Sequence, residues 1–266
     1  MINNVQSAIN AILGSVATLR SASGAGRIFE LFIMTGVANG LQNRGFEVWL
    51  QRSDGSRISP SDPDRRFFQR GGAPTGVPSA SLGPQNASVI GFRRASGAAE
   101  WEIWNGIQFQ GRSGENHEID IAVVPREVGI QLRQSGGLPS GRPRVAIECK
   151  DAGQAGSVDE MRAFVARLYD LTMLRWHQPY LPFPAPLQAI YPGNFGAAPF
   201  YAARATYRQE NQGTFNAIAR RTGFAFGAAA MTNYYAIEPH SFITAGSNQA
   251  AALMDAVAEW IDEELP

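Results

Sequence analysis

The sequence has little cysteine, histidine or lysine, and neither sign of charge is in excess. Its 266 residues include one cysteine, three histidines and equal totals of 23 basic and 23 acidic residues. A single cysteine excludes an internal disulfide and is typical of a protein from a reducing compartment. A net charge of zero excludes a uniformly basic protein that coats nucleic acid.

Long apolar runs are also missing. No stretch of about 18 apolar residues occurs, so we expect no membrane-spanning helix and no membrane partner. The first six residues lack the basic segment of a secretory signal, and we therefore expect a cytoplasmic protein. Hydrophobic residues make up 44% of the chain, which is enough for a sizeable core.

The scarcity of lysine is the most informative of these features. Of the 23 basic residues 22 are arginine, and Lys150 is the single lysine. One interpretation is that this lysine persists by chance in a composition that favours arginine. The other is that the position needs a compact ammonium group, which the wider, planar guanidinium of arginine does not replace.

The stretch 117–151 contains two apolar segments that carry charged residues. In the first, Glu118 and Asp120 alternate with isoleucines; in the second, Glu148 and Lys150 follow a Val-Ala-Ile run. The β-branched residues favour strands. Because side chains alternate across a strand, the two charged residues of each segment share one face of its strand. Carboxylates on neighbouring strands can bind a divalent cation, and an ammonium group beside them can hold a water molecule.

This pattern resembles the PD-(D/E)XK nuclease superfamily, which has the restriction-endonuclease-like fold. That family has an aspartate on one strand and (D/E)-x-K on the next, and here Asp120 is followed by Glu148, Cys149 and Lys150. The proline that usually precedes the aspartate is replaced by Ile119. An E-x-K triplet also occurs as a solvated ion pair on exposed strands and helices, so a structural ion pair is the alternative interpretation.

The resemblance implies a Mg²⁺-dependent endonuclease, with Mn²⁺ as a substitute ion. Asp120, Glu148 and the backbone carbonyl of Cys149 would bind the ion, and Lys150 would hold the attacking water. The family often places a glutamate of the preceding helix in the same site, and Glu30 matches it; the alternative is a solvated glutamate on the polar side of that helix. The expected activity is that of an endodeoxyribonuclease in restriction, repair or phage and other antiviral defence. The alternative is an inactive nuclease-like module that binds nucleic acid or serves in assembly.

We expect one α/β domain with a restriction-endonuclease-like core, in which helices flank a central mixed β-sheet. The predicted parts of this single domain over 1–266 are an N-terminal helix in 1–23, a long Gly/Pro-rich insertion at 53–100, core strands and helices in 101–235, and an acidic C-terminal helix in 246–266.

Four local patterns give sharper expectations within the core. Asn105 and Gly106 predict a hairpin turn inside the strand-like segment 101–110. The Gly/Pro-rich connection 125–144 predicts a mobile loop. A helix is expected at 214–221 and a strand at 224–231.

Double-stranded DNA is the expected partner. Arginines near Gly/Pro-rich segments are candidate phosphate contacts, and phenylalanines between them are candidates for base stacking. The alternative is that these clusters anchor loops. The residues concerned are Arg65, Arg66, Phe67, Phe68, Arg70, Arg142 and Arg144.

The C-terminal helix has a one-sided charge. Residues 251–266 carry five acidic residues and no basic one. This pattern is typical of a solvated helix face, and the alternative is a surface for a homodimer or another protein partner. DNA versus RNA, sequence specificity and oligomeric state are not determined by these features.

Overall fold

A mixed seven-stranded β-sheet forms the centre of the fold. The computed structural model describes residues 1–21, 25–69, 88–171 and 213–266. In chain order the strands of the central sheet are β2 (Glu47–Gln51), β4 (Val89–Arg93), β5 (Trp101–Gln110), β6 (Asn116–Pro125), β7 (Val145–Lys150), β8 (Phe215–Arg220) and β9 (Glu238–His240), and they lie side by side in that order. Neighbouring strands are antiparallel from β2 to β7, whereas β7, β8 and β9 are parallel. A separate parallel pair joins β1 (Thr18–Ser21) to β3 (Arg66–Gln69).

Helices cover both faces of the central sheet. One face packs against α1 (Ile2–Leu13), α2 (Ala25–Asn43) and α6 (Asn248–Glu264); the other packs against α3 (Arg126–Ser135), α4 (Val158–Leu171) and α5 (Phe226–Tyr235). Each face has its own cluster of buried apolar side chains, and their burial is the main force that holds the layers together. The structure thus confirms an α/β fold with a mixed central sheet flanked by helices.

Two predicted loop or helix regions differ from the structure. The N-terminal helix ends at Leu13 because Gly14 adopts a left-handed conformation with φ 68°, so the prediction of a helix through 1–23 is wrong over residues 14–21. The region 53–100 is not only an insertion, because β4 lies within it and pairs with β2.

Three of the four sharper expectations within the core are wrong, and the fourth is wrong over residues 126–135. Residues 101–110 form one strand, and Gly106 has φ 65° within it instead of forming a turn. The helix α3 occupies part of the connection 125–144 that was expected to be a loop. Residues 215–220 form β8, which is buried at all six positions and therefore shows no alternation. The expected strand at 224–231 is instead largely the helix α5, whose alanines and methionine are good helix formers.

Candidate active site

The strands β6 and β7 separate at the point where the charged residues lie. They pair over three residues each, and the pairing ends at Ile121 and Ile147. Asp120 and Glu148 are therefore the first residues beyond the ladder. The Asp120 carboxylate replaces part of the missing pairing, because its Oδ2 accepts a hydrogen bond of 2.7 Å from the backbone N–H of Cys149. The fork between the strands thus brings the two carboxylates of the motif together.

Glu148 is the most deeply buried acidic residue of this fork, with 1% of its surface exposed. Its Oε1 forms ion pairs with Lys150 Nζ and with Arg167 Nη2, each at 2.5 Å. Its Oε2 is buried and has no hydrogen-bond partner among the described residues. A buried acceptor without a partner is costly, so this oxygen is the atom of the site most in need of a further ligand.

The pKa of Asp120 is raised from its ordinary value of 3.8 to about 7. Burial is the main cause, and the negative charge of Glu148 is the second; Glu30 adds to the effect, while the hydrogen bond from Cys149 and the charge of Lys150 oppose it. The carboxylates of Asp120 and Glu148 therefore repel each other when both are ionised. A divalent cation would relieve this repulsion.

Glu30 reaches the site from α2 through Asn105. The Asn105 side-chain N–H₂ group donates to Glu30 Oε2 at 2.6 Å and to the backbone carbonyl of Asp120 at 3.0 Å. Glu30 is 8% exposed and also pairs with Arg27 at 3.1 Å. This burial contradicts the alternative of a solvated glutamate on the polar side of the helix.

Lys150 and Cys149 point to opposite sides of β7, as strand alternation predicts. The Cys149 side chain belongs to the apolar cluster on the α2 side, and burial raises the pKa of its thiol well above the usual value. Burial alone would lower the pKa of Lys150, but the charge and hydrogen bond of Glu148 outweigh it, and the pKa is raised. The lysine is therefore a protonated ammonium throughout the physiological range.

Two residues of the site were not predicted from the sequence. Arg167 of α4 binds the Glu148 carboxylate and also donates to the backbone carbonyl of Glu118 at 3.0 Å, so its guanidinium bridges β6 and β7 across the fork. Asn105 was assigned to a turn, but it connects α2 to β6 from the middle of β5. Both residues reach the fork from outside the 117–151 stretch, and no spacing within that stretch indicates them.

The bridging position of Arg167 leads to a stability prediction. Arg167→Ala should lower the free energy of unfolding by about 1–2 kcal/mol, because it removes one of two cations from a buried carboxylate while Lys150 remains. Urea denaturation measures this change. The matched control is Arg162→Ala on the same helix, whose exposed pair with Asp159 should contribute nothing measurable. Equal stabilities of the two variants would contradict the role of Arg167 in holding the fork.

The arginines before the first Gly/Pro-rich segment have protein partners. Arg65 donates to the Ser15 hydroxyl at 2.7 Å, and Arg66 pairs with Asp64 at 2.6 Å. Phe67 is fully buried, so the expectation that it stacks on bases is wrong. Arg70 lies outside the described residues.

The arginines of the second Gly/Pro-rich segment lie far from the fork. Arg142 and Arg144 precede β7, whose opposite end carries Lys150. The fork begins at Glu148, four residues beyond Arg144, which is a distance of about 13 Å along the strand. The Arg144 guanidinium also lies over the rings of Trp101 and Trp260, at 5.9 and 5.8 Å from their centres. Contact between Arg144 and a phosphate at the fork is therefore not supported.

Two acidic residues of α6 are neutralised within the chain. Asp255 pairs with Arg44 at 2.7 Å, and Asp262 pairs with Arg94 at 2.5 Å. This part of the acidic face is therefore used for intramolecular contacts, and docking of a partner on α6 remains a prediction. None of the helices in the described parts of the chain combines the length and apolar character needed to cross a membrane.

The carboxylates are not preassembled as a metal centre. Within the described residues, no group of three or more His, Cys, Asp or Glu side chains is arranged so that it could hold a metal ion. The oxygens instead bind Lys150, Arg167, Asn105 and the N–H of Cys149. Two observations nevertheless fit a divalent cation: the buried Oε2 of Glu148 lacks a partner among the described residues, and burial together with the charge of Glu148 raises the pKa of Asp120. An all-oxygen donor set suits Mg²⁺ or Mn²⁺.

Comparisons with other proteins assign neither a family nor a function to this chain. No protein-family model matches the chain, and neither the curated proteins nor the solved structures gave a match. What the protein does must therefore be inferred from the chemistry of the fork.

Proposed function

We propose that this chain is a metal-dependent nuclease with a restriction-endonuclease-like core, which hydrolyses phosphodiester bonds of nucleic acid. One observation supports this proposal above all. Asp120, Glu148 and Glu30 come from three different elements to one fork in the sheet, and the single lysine of the chain is bound to Glu148 there. In a solvated surface ion pair the carboxylate stays exposed to water, because burying a charge is costly. Glu148 is instead 1% exposed and lies near two further acidic side chains.

Each side chain of the fork has a task in this chemistry. Mg²⁺ held by Asp120, Glu148, the Cys149 carbonyl and Glu30 would neutralise phosphate charge and acidify the attacking water. Lys150 orients that water and stabilises the charge that develops on the phosphate. Arg167 fixes the Glu148 carboxylate.

The proposed activity is that of an endodeoxyribonuclease, with a role in restriction, repair or antiviral defence. The second candidate is a nuclease-like module that binds nucleic acid without cleaving it. It is favoured by the two cations on Glu148 Oε1, which already neutralise part of the site. The two candidates differ in whether cleavage depends on a divalent ion.

A cleavage assay tests the proposal directly. The purified protein is incubated with plasmid DNA, single-stranded DNA and RNA, in Mg²⁺, Mn²⁺ or EDTA. We expect cleavage in either ion and none in EDTA, and we expect Glu148→Gln to abolish it. Asp159→Asn, whose side chain is 85% exposed on α4, should cleave normally. Metal-independent cleavage, or equal activity of Glu148→Gln, would exclude the assignment.

A further inference from the structure

The carboxyl ends of β7, β8 and β9 form one edge of the sheet, next to the candidate active site. The parallel register places Lys150 beside Arg220, and the N–H of Arg221 donates to the Lys150 carbonyl at 3.3 Å. The loop after β9 joins the same edge, because the N–H of Phe242 donates to the Thr222 carbonyl at 3.4 Å. Residues that follow these three strands are therefore spatial neighbours of the fork.

Two phenylalanines on this edge are exposed. Phe226, the first residue of α5, is 93% exposed, and Phe242 is 57% exposed. Neither belongs to the apolar clusters that form the core. The Phe242 ring lies close to Gly223, where an added Cβ would come within 3.2 Å of it. Both rings thus belong to the connections that begin directly after β8 and β9.

Phe242 also has an unfavourable backbone conformation. Its φ is 58°, a value that bulky residues rarely adopt. This conformation does not bury the ring, so packing does not explain why a phenylalanine is held there. Strained positions of this kind are concentrated at sites that bind ligands.

A partly exposed arginine and a groove lie on the same edge. Arg221 has a side chain that is 44% exposed, and it pairs with Asp151, the residue after Lys150, at 3.0 Å. A groove of about 490 Å³ is lined by Arg221 and Asp151 together with Met1, Ile2, Ile28, Thr244 and Ala245. The groove therefore begins one residue beyond the motif lysine.

We propose that this edge binds an unpaired strand of nucleic acid that continues from the active site. Phe226 and Phe242 offer ring faces on which bases stack, and Arg221 can pair with a phosphate. Stacking of this kind requires unpaired bases, because an intact duplex keeps its base faces internal. The substrate is then a single strand, or a duplex with an unpaired segment at the cleaved bond, rather than the intact double-stranded DNA expected from the sequence. The link to cleavage rests on the proposed nuclease function, whereas strand binding does not.

The binding test uses the full chain in EDTA, so that no cleavage occurs. Fluorescence anisotropy gives Kd for oligo(dT), for oligo(rU) and for a DNA duplex of the same length. We expect tighter binding of the unpaired strands than of the duplex. Phe226→Leu and Phe242→Leu should each weaken oligo(dT) binding by about fivefold to a hundredfold, since leucine keeps the apolar character but loses the stacking face. Tryptophan at either position should restore binding, and Val16→Ala, an exposed apolar site in the connection between α1 and β1, should bind normally.

A second variant separates binding from structure. Phe242→Gly relieves the positive φ, so its melting temperature should equal or exceed that of the wild type while oligo(dT) binding weakens. A lower melting temperature with unchanged binding would overturn the proposal and make Phe242 a structural residue.

Other outcomes distinguish this proposal from the nuclease assignment. Leucine variants that bind oligo(dT) like the wild type, or a wild type that prefers the duplex, would overturn the strand-binding edge. If Glu148→Gln abolished plasmid cleavage while the leucine variants bound normally, the nuclease function would stand and the edge would fall. If nothing were cleaved in Mg²⁺ but the leucine variants lost oligo(dT) binding, the reverse would hold.

Discussion

Lys150→Arg is expected to fold and to bind nucleic acid, but to cleave it at least about a hundredfold more slowly than the wild type. That loss is the scale expected when one donor to the transition state is misplaced. Lys150 Nζ lies 2.5 Å from Glu148 Oε1, and Arg167 occupies the same oxygen from the other side. On the proposed mechanism, we expect a wider, planar guanidinium in this position to displace one of these groups or the attacking water.

This substitution distinguishes a catalytic role of Lys150 from a role that needs only its positive charge. Arginine keeps the positive charge, so a structural ion pair would survive it at a cost of at most about 1 kcal/mol for this partly exposed side chain. Single-turnover cleavage in saturating Mg²⁺, melting temperature and oligonucleotide binding are measured on the same preparation. Arg167→Lys, which exchanges the cation on the other side of Glu148, is the companion variant and should keep more activity. Near-normal cleavage by Lys150→Arg would mean that the single lysine is an accident of composition.

Asp120→Asn is expected to abolish cleavage and, in metal-free buffer at pH 8, to make the protein more stable. The folded protein holds the pKa of Asp120 at about 7, whereas the ordinary value is 3.8. Between these values the folded state binds a proton that the unfolded state has lost, so wild-type stability falls as pH rises through this window. The amide of asparagine carries no charge, and the variant escapes this loss.

The size and the sign of this effect can both be measured. A pKa difference of this size corresponds to a few kcal/mol of unfolding free energy, and structural relaxation reduces that amount. We therefore expect the variant to gain about 1–3 kcal/mol of unfolding free energy at pH 8 and none near pH 4. Urea denaturation in EDTA across this pH range gives the difference between variant and wild type. Asp170→Asn is the control with the opposite sign, because hydrogen bonds from Ser113 and His117 outweigh burial and lower the pKa of Asp170. A variant that is less stable than the wild type at pH 8 would contradict the raised pKa of Asp120.

The sequence predicted the motif residues because strand alternation is a local property. Glu148 and Lys150 share one side of β7, and Cys149 lies on the other. Glu30 could be assigned only through the family resemblance, since its approach to Asp120 depends on the packing of α2 against the sheet. Arg167 could not be predicted, because α4 brings it to the fork only in the folded chain.

The wrongly predicted elements of the fold have a similar cause. The C-terminal helix α6, whose buried residues keep helical spacing, was assigned within a few residues. The strand β8 and the helix α5 were assigned the wrong way round, because a strand buried on both faces has no alternation and an alanine-rich helix has little contrast between its faces. Gly106 was assigned to a turn, but its positive φ lies inside a strand that pairs with β6 at the residues before and after it, Asn105 and Ile107.

Calorimetric titration with Mn²⁺ tests the central claim most directly, namely that Asp120 and Glu148 together hold a divalent cation. The titration is carried out near pH 7 in two buffers of different ionisation enthalpy, so that proton release is measured with binding. We predict that the wild type binds Mn²⁺ with release of part of a proton, because the raised pKa of Asp120 must fall when a cation binds. Asp120→Asn and Glu148→Gln should lose this binding, and Glu118→Gln on the same strand should keep it. No binding by the wild type, or unchanged affinity in both carboxylate variants, would contradict the account.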